Sequence, residues 1–305
     1  MRRLLPALFA VLTGACCTSL PRLAAKSGSL PLAPVDPEGV RETSETWRDA
    51  KRERDVPVKI YERDRSPARL PVVVFSHGIG EDRQSYAWLG RLIALHRFRV
   101  VHVTHQGTDR AMLERGYLHL YRAVKQKENW VNRALDVSFV LDKLGPGDVP
   151  VAVVGHSAGA FTAFAVAGLR TSDGTLRDPR VRVAVAMSMP RLDGVVPAGG
   201  YDAVEVPLLN LTGTCDTSLI YRTFPRHRRI PFDATRAPSQ YLVTLEGVNH
   251  DDFVSDHDAI GAVVVAFLRG WMLDDAASRA WFDEPGTGAV VGVRASVERK
   301  AHGAR

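Results

Sequence analysis

Residues 151–160 read VAVVGHSAGA. An apolar, mostly β-branched run of this kind is a short strand buried on both faces. It runs without a spacer into Gly155-His156-Ser157-Ala158-Gly159, and a small-residue helical stretch follows. A strand that turns into a helix within so few residues leaves no room for a Cβ on either side of the turn, and glycine is the residue that tolerates this. The pentapeptide fits the G-x-S-x-G elbow, in which a sharp turn lifts the serine hydroxyl above the end of a parallel sheet. A hydroxyl in that position needs a base, an acid and two backbone donors before it can do chemistry.

The remainder of the chain repeats the alternation. Trp47–Ala50 and Val56–Tyr61 read as an antiparallel hairpin with alternating polarity. RLPVVVFSHG, FRVVHVTHQG, the run 149–154, RVRVAVAMSMP, VPLLNLTG and SQYLVTLEG read as short apolar strands. Helical spacing appears at Arg83–His96, Asn129–Leu144, Ser157–Leu169 and Asp256–Asp274. The prediction is an α/β fold, a mostly parallel central sheet with helices on both faces. Residues 45–275 form the predicted domain. Residues 26–44 read as a linker, and residues 276–305, with one short helical piece and a Gly-rich, basic end, as a surface appendage.

Ser157 needs a histidine within hydrogen-bond reach and a carboxylate to orient that histidine. Four histidines follow it: His227, His250, His257 and His302. His250 stands directly after the last strand, in LVTLEGVNHDDF, where a loop falls beside the elbow. His227 lies in an Arg-rich loop, and His257 near a capping box at Ser255–Asp258. For the acid, LLNLTGTCDTS places Asp216 just past a strand end. Asp193, after the previous strand, is the rival, and a turn-capping role is the plain alternative for Asp216. The order Ser157, Asp216, His250 satisfies the Ser–acid–His sequence. The backbone donors are Ala158, at the start of the elbow helix, and Ile79, in the loop FSHGIG after the early buried strand. His77 in that loop reads as a hydrogen-bonding brace. His102 and His105, three apart on a strand, face opposite sides and do not read as a metal pair. Acyl transfer by such a serine needs no cofactor or metal.

The start, MRRLLPALFAVLTGACC, has a basic end, an apolar core from Leu4 to Leu12 and small residues at Gly14-Ala15. This is the pattern of a secretory signal, taken here as residues 1–25. Thr13-Gly14-Ala15-Cys16 resembles a bacterial lipobox with Thr at an aliphatic position. Membrane anchoring through a lipidated Cys16 is one outcome, and cleavage near Ala15 or Ala25 with release is the other. Either makes the protein extracytoplasmic: periplasmic, secreted or anchored. The third cysteine, Cys215, has no partner outside the leader region. The formal charge of +6 comes from arginines scattered through the chain, which argues against a nucleic-acid partner.

The stretches VVVFSHGIG (72–80), GHSAGA (155–160), LTGTCD (211–216) and EGVNHDDF (246–253) together resemble the α/β-hydrolase superfamily. Within it the chain is similar to bacterial predicted dienelactone hydrolases and platelet-activating-factor acetylhydrolases. HQGTDR (105–110), RALDVSFVLDKL (133–144) and DPRVRVAVAMS (178–188) add lesser echoes. The resemblance implies a Ser157–Asp216–His250 triad, oxyanion donors at Ile79 and Ala158, and a serine esterase working through an acyl-enzyme on short-chain esters of small molecules or lipids. Dienelactone hydrolases carry a Cys nucleophile where this chain has Ser157, which points to ordinary ester hydrolysis. A phospholipase-like or polyester-cleaving esterase, an acyltransferase and a non-catalytic envelope binding protein are the alternatives. Only PRLDGVVPAGGYDAVEV stands where a lid would enter this fold, so no large lid domain and a rather open site are expected. Gln106–Lys127 and Thr217–Ser239 would form the rim, the second as a cationic rim built from Arg226, Arg228 and Arg229.

Overall fold

A computed structural model describes residues 17–32, 39–64, 69–145 and 147–300. Residues 1–16, including Cys16, lie outside it, as does His302. The elements in chain order are β1 (Val40–Asp49), β2 (Arg54–Arg63), β3 (Val72–Ser76), α1 (Ala87–Leu95), β4 (Arg99–Val103), α2 (Arg110–Glu114), α3 (Tyr117–Ala123), α4 (Lys127–Leu144), β5 (Val151–His156) and α5 (Ala158–Ala167). There follow β6 (Val181–Met187), β7 (Leu208–Cys215), α6 (Ile230–Ala234), β8 (Gln240–Asn249), α7 (Asp258–Met272), α8 (Ala276–Asp283), β9 (Gly286–Val290) and β10 (Val293–Arg299). A two-residue-stranded hairpin at 170–175 stands apart from the main sheet.

Ten strands form one sheet in the order β1-β2-β4-β3-β5-β6-β7-β8-β10-β9. The middle of the sheet, from β4 to β8, is parallel throughout. Antiparallel pairs flank it: β1–β2 and β2–β4 on one side, β8–β10 and β10–β9 on the other. Alternation along each strand divides the core into two layers. Val73, Phe75, Ala152 and Val154 face α1, α7 and α8. Val72, Val74, Val151 and Val153 face α4 and α5. Every central parallel strand therefore points its carboxyl end at the same edge, and the loops that leave this edge carry Gly78, Ser157, Ser188, Asp216 and His250. The α/β prediction holds, and no large lid domain interrupts the residues between β6 and β7.

The ends of the chain differ from the reading of the sequence. Residues 276–300 are no appendage. Val293, Ala295 and Val297 alternate along β10, which pairs with β8 from Leu245↔Ala295 to Tyr241↔Arg299. The β9–β10 connection is a two-residue turn, Val291 and Gly292, both at positive φ (46° and 79°). This is the turn whose twist suits a tight hairpin. Residues 26–44, read as a linker, include the first residues of β1 and a segment that packs on the sheet edge. A bridge joins Ala25 to Thr287, Lys26 Nζ donates to the Trp281 carbonyl at 2.6 Å, and Ser27 bonds Glu284. Cys17 forms a disulfide with Cys215, so the partner of Cys215 lies inside the leader region. Thr18 N–H donates to Thr214 O beside it at 2.8 Å.

Candidate active site

Ser157 joins β5 to α5 with φ 54° and ψ −116°, a conformation that non-glycine residues adopt only when the surroundings impose it. Two close approaches impose it here. A Cβ on Gly155 would lie 2.0 Å from Gly159 O, and one on Gly159 would lie 1.8 Å from Ser76 O. The helix start thus crosses the end of β3 with backbone against backbone. Ser157 N–H donates to Met187 O at 2.9 Å, which anchors the elbow to β6. Ser157 is buried, 4% exposed.

Asp216 and His250 come together from the ends of β7 and β8. His250 Nδ1 lies 2.9 Å from Asp216 Oδ1 and donates to it. Asp216 is fully buried. Burial alone would raise its carboxyl; the Arg228 charge, the His250 hydrogen bond and charge, and the Ser188 hydroxyl outweigh that and hold it below the usual carboxylate range. Ser188 Oγ donates to Oδ1 at 2.8 Å and Thr212 Oγ1 to Oδ2 at 2.8 Å. The His250 ring packs 4.7 Å from the ring of His156, the residue before Ser157. Asp193 instead pairs with Arg191 at the surface. His227 accepts from Phe224 N–H within its own turn. His257 is the N-cap residue of α7 and makes no side-chain cap, so the expected capping box is not formed.

The loop after β3 brings Gly78 and Ile79 to the elbow. A Cβ on Gly78 would sit 3.6 Å from Ser157 Cβ, 3.4 Å from His156 Nδ1 and 3.2 Å from Tyr86 Oη. Ala158 N–H is in the first turn of α5, where helix geometry leaves donors unpaired. His77 braces the loop as expected: its Nδ1 donates to Gly78 O at 2.6 Å and its Nε2 accepts from His105 N–H at 3.0 Å. Beneath it lies a fully buried chain. Asp136 Oδ2 accepts from His105 Nδ1 at 3.0 Å, and His105 Nε2 is 2.9 Å from Ser76 Oγ. Arg133, also buried, bonds Ser76 Oγ, His77 O, Thr108 and Thr162. This acid–imidazole–hydroxyl series copies the order of Asp216 and His250 but has no exposed atom to offer a substrate. Burial, with Arg133 nearby, drives the proton affinity of His77 and His105 well below normal, so both are neutral. His102 takes a different course, stacking on Phe75 with its proton affinity pushed down to about 3 by burial.

Ser188, Thr212 and Tyr86 carry no signal in the sequence, and Arg228 reads there only as one of three rim arginines. Ser188 stands at a strand end with φ 59°, a placement that matches the loci of Asp216 and His250. Arg228 overturns the cationic rim. It is 2% exposed and directed inward, with Nη2 2.7 Å from Asp216 Oδ1. Arg229 pairs with Asp233 and Glu298, and Arg226 lies over the Phe224 ring.

Residues 48–113, from the end of β1 through the loop after β3 and into α2, match the family of platelet-activating factor acetylhydrolase, isoform II. The chain resembles platelet-activating-factor acetylhydrolases. With the sheet order and the elbow described above, the fold is that of an α/β-hydrolase, and the likeness supports hydrolysis of an ester bond. The match ends before Ser157, Asp216 and His250. A search of curated proteins returns no match.

Proposed function

We propose that this protein is a serine carboxylic-ester hydrolase with Ser157 as nucleophile, His250 as base and Asp216 as acid. The observation that carries the reading is the 2.9 Å His250–Asp216 contact, with its imidazole packed against the neighbour of an elbow serine. Nδ1 is committed to Asp216, which leaves Nε2 for Ser157. His250 takes the Ser157 proton as Oγ attacks the ester carbonyl. Ile79 and Ala158 N–H groups hold the negative oxygen. The protonated imidazole gives its proton to the leaving alcohol, and an acyl-enzyme remains. Water, deprotonated by His250, attacks the acyl carbon and releases the acid and Ser157.

Short-chain acyl esters are the proposed substrates, and an acetylated phospholipid-like ester is the reading favoured by the family likeness. Leu113, Tyr117, Leu118 and Tyr121 are exposed along α2 and α3, which suits an amphiphilic substrate at the rim. The disulfide supports an oxidising, extracytoplasmic setting. Lipid anchoring through Cys16 stays part of the proposal.

The test is hydrolysis of p-nitrophenyl esters from acetate to palmitate by the full extracytoplasmic chain and by Ser157→Ala, with fluorophosphonate labelling alongside. Turnover and labelling that both vanish in the variant are expected. A folded wild type that neither turns over any ester nor labels would sink the proposal.

A further inference from the structure

Arg228 sits at the end of a one-turn 3-10 helix, Pro225–His227, in the loop between β7 and β8. Four acceptors surround its guanidinium. Nη2 donates to Asp216 Oδ1 at 2.7 Å and Nε to Asp216 O at 3.2 Å. Nη1 donates to Ser188 O and Met189 O, each at 2.8 Å. Nη2 also lies 3.1 Å from His250 Nδ1, so that arginine and histidine converge as donors on one carboxylate oxygen. Neither the Arg228 nor the Asp216 side chain has any exposed surface.

We propose that Arg228 is the positioning residue of the acid–base pair: it fixes the Asp216 carboxylate against the end of β6, so that Oδ1 is aimed at His250 Nδ1. The inference rests on the Ser157–Asp216–His250 reading. The hydroxyls of Ser188 and Thr212 also reach this carboxylate but carry no charge, and a buried carboxylate needs both a fixed orientation and a compensating charge. Arginine supplies both needs because its donors form a rigid planar fork. The carbonyls of Ser188 and Met189 hold one arm of that fork, so the other arm cannot swing away from Oδ1. The loop that carries Arg228 is thereby tied to the acid, the base and the strand that anchors the elbow. A lysine in its place keeps the charge but reaches fewer of these acceptors.

The experiment is a double-mutant cycle on turnover of a p-nitrophenyl ester, using Arg228→Met, Arg228→Lys, Asp216→Asn and the Asp216→Asn/Arg228→Met pair, with thermal unfolding of each. Loss of the acid in a triad costs about 10⁴-fold in kcat. Arg228→Met is expected to lose roughly 10²-fold in kcat with KM within about threefold, and Arg228→Lys to recover part of that loss. In the Asp216→Asn background the Arg228→Met change should cost less than about threefold more, because Arg228 acts through Asp216. Multiplied losses in the pair, or full kcat in a folded Arg228→Met or Arg228→Lys, would overturn the positioning role. If Arg228→Met strands a buried charge and fails to fold, Arg228→Lys and the charge-free pair carry the test. Full activity in Asp216→Asn would overturn the acid assignment itself. An inactive Asp216→Asn beside unaffected Arg228 variants would overturn the clamp alone.

Discussion

A Cβ placed on Gly159 would lie 1.8 Å from the carbonyl oxygen of Ser76. Neither atom is the far end of a flexible side chain, so the contact cannot be relieved without moving α5 away from β3. Gly159→Ala is therefore expected to unfold the elbow. The cost should exceed about 3 kcal/mol, the upper part of the range for overpacking, and soluble yield should fall with it. Gly155→Ala meets Gly159 O at 2.0 Å and should behave alike. Denaturant titration of the two variants checks this, and a stability equal to wild type in either would contradict the described crossing.

Ser157 carries positive φ without being a glycine, so its backbone is held against its own preference. Ser157→Gly and Ser157→Ala should both be inactive, yet differ in stability. Glycine relieves the conformation that alanine retains, which places Ser157→Gly about 1 kcal/mol above Ser157→Ala. Calorimetry of the pair decides it. An alanine variant as stable as the glycine one would mean that the turn is not strained.

Acid should weaken the fold well before carboxylates titrate. His77, His105 and His156 are buried, and burial, with Arg133 beside the first two and His250 beside the third, drives them well below the ordinary histidine range. His102 is pushed down to about 3, mainly by burial. In the unfolded chain each takes a proton near pH 6.5. From there downward the unfolded state binds protons that the native state refuses, so stability falls as pH drops toward 3. Each group contributes up to about 1.4 kcal/mol per pH unit. Asp216 adds to the loss at lower pH. Its contribution is complete above about pH 4 and disappears as the carboxylate is finally protonated. The melting temperature should therefore decline between pH 7 and pH 4.5, and a flat profile over that range would refute neutral burial of these rings.

The disulfide closes a loop across 198 residues. Chain-entropy arguments give such a closure about 2–5 kcal/mol. Cys215→Ser should lower the unfolding free energy by that order, and so should a chain beginning at residue 26, which lacks Cys17. Denaturation with and without reductant reads the effect. Equal stability of chains beginning at 17 and at 26 would show that the staple contributes nothing.

Much of the candidate site's geometry is legible in the sequence because its constraints are local. Two glycines flanking a serine encode a steric crossing, and Asp216 and His250 follow strands whose apolar runs are unmistakable. Arg228 is hidden because FPRHRRIPF shows three arginines and a histidine in a row, and only the turn at Pro225 decides which one faces inward. The buried Arg133 and Asp136 are hidden for a related reason, since charges on an amphipathic helix read as its wet face. Cys17 and Cys215 are so far apart in the chain that no local pattern joins them. Strand β10 was within reach: Val293, Ala295 and Val297 alternate, and Val291-Gly292 is a turn signal, but the Gly-rich stretch around them masks both.

Cys215 is followed at once by Asp216, and its partner Cys17 precedes it by 198 residues. Synthesis runs from the amino end, so Cys17 is made before Cys215 and stays a thiol until the end of β7 is in place. Closure of the bond and burial of the Asp216 carboxylate thus depend on the same strand end.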